Sequence, residues 1–194
     1  MNGKRPWGRS GLAAWSVVFV IASVAAKTAP PAAVPPEVVA DYVHAVIEAD
    51  RAVYTRHVVD RLQAKGVVTA SEHWDVQNTL LLPAQFLNES AKLAAKKENG
   101  IRYRLISLWP IYERNGPATP FERAGLKAVL KEPAKTFTGF VESGGRQYFQ
   151  AIYADVAVSQ ACVGCHNTHP NSPRRDFKEQ EVMGGIVITI PMTP

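Results

Sequence analysis

Residues 136–153 read TFTGFVESGGRQYFQAIY. Two runs rich in aromatic and β-branched residues, Thr136 to Glu142 and Arg146 to Tyr153, flank Ser143-Gly144-Gly145. A tight turn between strands needs residues that accept positive φ, which glycine does without a Cβ penalty. The stretch therefore predicts a β-hairpin, and with it an antiparallel sheet rather than a parallel one.

Outward from the hairpin, Gly185 to Ile190 (GIVITI) is β-branched and near-continuous, as a strand in the middle of a sheet would be. On the N-terminal side, Arg102 to Trp109 (RYRLISLW) alternates between Gly100 and Pro110. Helical patterns fill the remainder. Val38 to about Gln63 reads as one long helix ending before Gly66. At about 100° per residue, Val39, Val43, Val46, Ile47, Val53, Tyr54 and Val58 fall within one broad arc. A second helix is expected over Ala84 to Glu98. A third opens with a capping box, Thr119 as N-cap, Pro120 first and Glu122 at the third position, and stops at Pro133. The fold class this predicts is α+β, an antiparallel sheet with helices on one face and a long N-terminal helix.

The first residues do not belong to that fold. Lys4, Arg5 and Arg9 precede an uncharged run, GLAAWSVVFVIASVAA, over residues 11–26. A basic start and a short apolar segment ending in small residues predict a signal peptide over residues 1–26, cut after Ala25 or Ala26. The alternative is a membrane anchor through residues 11–26, although a spanning helix normally takes ~20 residues. Both place the rest of the chain outside the cytoplasm, in a periplasmic compartment. A Pro/Ala-rich linker, residues 27–36, then leads to a domain over residues 37–194. The 22 Lys and Arg against 17 Asp and Glu give a formal charge of +5. Removing the three leader cations leaves +2, so the charge balance predicts no nucleic acid partner.

The chain has two cysteines, both in residues 157–177, AVSQACVGCHNTHPNSPRRDF. Cys162 and Cys165 lie three apart and His166 follows at once. In an exported chain this spacing points to attachment of a single c-type haem, haem c: the thiols add to the vinyl groups, and the histidine ligates the iron from the proximal side. Gly164 suits the tight turn this requires. A redox or structural disulfide is a second reading, although no βαβ pattern precedes the pair. Zinc on Cys162, Cys165, His166 and His169 is a third, set against it the crowding of four ligands into eight residues; coincidence is the fourth.

A haem held by His166 has a second axial position. His57, on the apolar arc of the long helix, is the first distal candidate, and Met183, beside Gly184-Gly185, is the alternative. His44 lies on the edge of the arc. His73, in SEHWD, reads as a solvated turn residue, His169 as a local loop contact, and Met192 completes the set. Arg174 and Arg175 suit haem propionates or a solvated loop. Trp109, Phe137, Phe140 and Tyr148 are candidates to wall a ring.

The segments VYTRHVVDRLQ, LLLPAQFL, LISLWPIYERNGP, YADVAVSQACVGCHNTHPNSPRRDF and VMGGIVI resemble a family of c-type-haem domains with a PAS-like fold. That family includes a cyanobacterial haem protein associated with photosystem II and the extracytoplasmic parts of bacterial sensors. The resemblance spans about residues 38–192. It implies a five-stranded antiparallel PAS-like sheet and one covalent haem on Cys162, Cys165 and His166. In the cyanobacterial member the distal ligand is a cysteine on the N-terminal helix; a chain with two cysteines has no equivalent.

Two functions are expected from this reading. One is a redox or small-ligand sensing module taking CO, NO or O2, which signals to a protein in trans. The other is a single-electron carrier between extracytoplasmic redox partners. An enzymatic, peroxidase-like role through His57 and Arg61 is the third and weakest.

Overall fold

In the computed structural model, the structure describes residues 2–3, 33–97 and 99–192. The expected leader and most of the linker lie outside the described residues. Among the described residues, no helix is long and apolar enough to cross a membrane. Residues Val34–Pro194 form one compact unit.

The hairpin forms as its glycines require. Strand β2 (Phe137–Ser143) pairs with β3 (Arg146–Val156), and the turn residues Gly144 and Gly145 take φ of 58° and 72°. β4 (Val182–Pro191) pairs antiparallel with β3 on one side and with β1 (Arg102–Ile106) on the other. The sheet is therefore β1-β4-β3-β2, four strands and not the five that the resemblance implies. After β1 the chain leaves the sheet. Pro110 and Pro117 lack a backbone donor, and the Ser107 N–H turns back to the Asn115 carbonyl (2.9 Å) before a short 3-10 turn, Glu113–Asn115.

Helices cover both faces, which corrects the one-face expectation. Phe149, Ala151 and Tyr153 of β3, with Ile186 and Ile188 of β4, pack on Ala40 and Ile47 of α1 (Pro36–Val53) and Leu87 of α3 (Pro83–Ala95). The alternate residues Ile152 and Val187 meet Leu126 and Val129 of α4 (Pro120–Lys131) on the other face. Successive side chains of a strand point to opposite faces. Since β3 and β4 are apolar in both phases, each face needs its own cover. α4 starts as expected, with the Thr119 hydroxyl accepting from Glu122 N–H (3.1 Å). The Glu122 carboxylate accepts instead from Ala118 N–H (2.6 Å) and from Arg104 (2.5 Å).

The long N-terminal helix is continuous but not uniform. α1 passes into a π-helical stretch, Tyr54–Asp60, and then α2 (Arg61–Ala64). At that junction the buried Thr55 hydroxyl donates to the Arg51 carbonyl (2.7 Å), a side-chain bond that loosens the helical ladder. The inward face is Ala40, Ile47, Arg51, Thr55 and Val59, while Val46 and Val53 of the expected apolar arc face solvent. A buried arginine and threonine on the core side moved the true face away from the one that hydrophobic periodicity indicates.

Candidate functional site

The CVGCH motif lies on α5 (Gln160–Thr168), at the end of the sheet where β3 and β4 part at a bulge between Asp155 and Val156. Ser159 caps the helix, its hydroxyl accepting from Ala161 N–H (3.2 Å). Cys162 and Cys165 are thus one helical turn apart. Gly164 takes no left-handed angle, contrary to expectation, and a Cβ there would meet nothing within 4 Å.

Cys162, Cys165 and His166 line one cavity of about 180 Å³ with Met183, Arg51, Asp155, Glu72, Tyr112 and His169. Leu82, Pro83, Leu105, Ile106, Ile111 and Val156 supply apolar wall. Both thiols are free. Burial, with Glu72 and Cys162 nearby, pushes the Cys165 thiol above its usual range. That is the reverse of an activated redox thiolate. Burial lowers His166 and favours the neutral imidazole, which is the ligating form. The His166 Nδ1 is buried without a hydrogen-bond partner, and Phe177 meets the ring edge-on at 5.7 Å. Two free thiols, a neutral imidazole and an apolar wall on one cavity fit the attachment chemistry of a haem.

The other sequence-predicted residues divide sharply. Met183 is 6% exposed, packs with Ala157, Val163 and Phe177, and is held through its carbonyl by the Ser107 hydroxyl (2.7 Å). His57 is exposed on the outer side of the π-helical stretch and is not part of the cavity wall. His44 stacks on Tyr153 at 3.9 Å, and Met192 packs on the α1/α3 side of the core. His73 is exposed, as expected. His169 is more than a local contact. Its Nε2 lies 3.3 Å from Glu72, a partner distant in sequence, while its Nδ1 accepts from Asn171 N–H (3.1 Å). Arg174 bonds Asp176 and Glu181 and lies over the Trp109 and Phe177 rings at 4.7 and 4.3 Å. Arg175 donates to the Pro170 and Ser172 carbonyls. Of the proposed ring walls, Trp109 reaches the motif, Phe137 packs under α4, and Phe140 is exposed.

Two groups were not legible beforehand. The first is the Arg51–Asp155 ion pair, 8% and 16% exposed, at the cavity. Burial works against the Arg51 charge, and Asp155 outweighs it, holding the guanidinium above its usual value. The second is Glu72, which accepts from the Tyr112 hydroxyl and faces His169. A second, more open hollow shares Glu72, Leu82, Pro83, Ala161, Cys165 and His169 with the first. Glu72 and His169 therefore belong to the lining of both spaces.

The bond from Tyr112 holds the Glu72 carboxyl below the usual carboxylate range, with burial opposing and His169 adding. A carboxyl held low when folded contributes stability above its unfolded value, near 4.3, and loses it as pH falls through the folded one. Glu72→Gln is expected to remove that dependence. Urea midpoints measured from pH 6 downward should begin to approach each other near pH 4.3 and converge only once pH has fallen below the depressed folded value.

The fold and the site define an α+β domain in which a terminal helix sets paired thiols and an imidazole into a cavity at the sheet's end. Residues 33–191 match the Tll0287-like family, and the chain belongs to that family. A similar solved structure is the crystal structure of the cyanobacterial heme-protein Tll0287. It is 16% identical, covers 82% of this chain and 98% of that one, and superposes with a TM-score of 0.51. At that identity the likeness is one of fold. No curated protein matches the chain.

Proposed function

We propose that this protein is an exported monohaem protein whose haem is held by thioethers from Cys162 and Cys165 and ligated by His166, serving as a redox or small-ligand sensing module. The observation that carries the reading is the convergence of those three side chains on one cavity, in a chain whose family includes a haem protein. When bound, haem supplies an iron centre that exchanges single electrons or takes a diatomic ligand.

The chain's own residues have separable parts in this reading. α5 presents both thiols on one side of a turn and fixes His166 beside them. Burial keeps that imidazole neutral, and Phe177 holds its ring edge.

A second reading, a single-electron carrier, is favoured by one observation: Met183, itself buried, lines the same cavity as His166. A thioether paired with histidine is an electron-transfer ligand set. Titrating the ferrous protein with CO separates the two. Binding in the wild type supports sensing. Refusal by the wild type with binding in Met183→Ala supports electron transfer. Colourless protein, from a host that matures c-type cytochromes, overturns both.

A further inference from the structure

Glu72 stands at the cavity as a carboxylate fixed in place by neutral groups. Its backbone carbonyl accepts from Gln85 Nε2 (2.8 Å), in the first turn of α3, and its side chain accepts from the Tyr112 hydroxyl. That bond holds the Tyr112 hydroxyl above its usual range, so the shared proton stays on the phenol and the carboxylate keeps its charge. His169 Nε2 lies 3.3 Å from the same carboxylate. Because His169 Nδ1 accepts from Asn171 N–H (3.1 Å), the neutral ring carries its proton on Nε2 and donates it to Glu72. Two uncharged donors thus orient the anion without cancelling it.

The other groups around Glu72 leave the charge in place. His73 approaches to 3.6 Å but is 62% exposed, where water and salt screen it. Cys165 is uncharged, as a thiol or as a thioether. Arg114 is exposed and lies over the Tyr112 ring at 4.7 Å; among the described residues the ion-pair partners of Glu72 are histidines alone. Elsewhere on the cavity, Asp155 is matched by Arg51. Glu72 is therefore the carboxylate left over, on a cavity that His166 also lines.

We infer that Glu72 sets the reduction potential of this site, as an anion held at the cavity that favours ferric over ferrous iron. The inference rests on the haem reading above. Ferric haem carries one more positive charge than ferrous haem, so a fixed carboxylate stabilises the oxidised form and lowers the potential. Reduction takes one electron from an external one-electron donor, makes and breaks no bond, and at neutral pH moves no proton at Glu72, which is ionised in both states. Tyr112 and His169 are positioning residues for that charge.

Spectroelectrochemical titration of the full-length haem-loaded protein tests this. At pH 7, Glu72→Gln keeps the shape without the charge and is expected to shift the equilibrium about tenfold toward the ferrous form, about 59 mV upward for a one-electron couple. Glu72→Asp keeps the charge and should stay within about twofold of the wild type. The gap between wild type and Glu72→Gln should begin to close only below the ordinary carboxyl value near 4.3, as the wild-type anion is protonated. In Tyr112→Phe, which frees the carboxyl from its main donor, the closing should begin at a higher pH. A potential unchanged by Glu72→Gln, or raised equally by Glu72→Asp, overturns the assignment and leaves haem attachment standing. A protein without haem absorbance overturns the underlying reading and this inference with it.

Discussion

Asp155→Ala is expected to cost about 3–5 kcal/mol of folding stability, read from urea unfolding. The reason is the residue it abandons. Arg51 lies on the core side of α1, is ion-paired with Asp155, and already has its Nε buried without a hydrogen-bond partner. Removing the carboxylate leaves a guanidinium that cannot shed its charge, since arginine does not deprotonate in proteins. The paired replacement Arg51→Met with Asp155→Leu should lose far less, because exchanging a buried ion pair for apolar side chains of similar volume is often near neutral. A large loss in Asp155→Ala and a small one in the double variant would identify the penalty as the orphaned charge. Equal losses would mean the pair acts through shape alone.

Gly184→Ala is expected to destabilise by about 3 kcal/mol, the upper end for overpacking a closed interior. A Cβ at Gly184 would be driven onto the backbone carbonyl oxygen of Ile106, with the Ile106 carbonyl carbon at 3.3 Å and Ser107 Cβ at 3.4 Å. Backbone of a paired strand cannot give way as a side-chain tip can. Relief would require β1 and β4 to separate where the Ser107 hydroxyl holds the Met183 carbonyl. The same variant should therefore disturb the Met183 wall of the cavity. Gly164→Ala is the contrast: mid-helix, with open space at its Cβ, it should be neutral or stabilising by up to about 1 kcal/mol in the haem-free protein. Both are measured by denaturant midpoint at constant slope.

These two positions mark where sequence reasoning reaches and where it stops. The four strands were visible because period-two apolarity and glycine turns are local signals, and Gly144-Gly145 behave as those signals require. The α4 cap was visible for the same reason, as was the gathering of thiols and imidazole into one short segment. A fifth strand came from resemblance alone, and the sheet has four. Hydrophobic periodicity indicates a different face of the long helix because it gives no weight to Arg51 or Thr55. Arg51 is paired inward with Asp155, more than a hundred residues away, and Thr55 bonds the Arg51 carbonyl. His57 fell with that error. Once the helix is turned to bury Ala40, Ile47, Arg51 and Val59, His57 faces out. The spacing of those four residues was itself a helical stripe, interrupted by one charge, and it was the signal available. Glu72 had none: SEHWD reads as a solvated turn, and only the fold brings Tyr112 and His169 to it.

The claim on which the functional account rests is covalent attachment, and intact-mass spectrometry of the full chain from a host with c-type cytochrome maturation reads it directly. The account predicts the polypeptide mass plus one haem, reduced to bare polypeptide in Cys162→Ser with Cys165→Ser. A wild-type mass equal to the bare polypeptide, with the two thiols free or joined to each other, would contradict it.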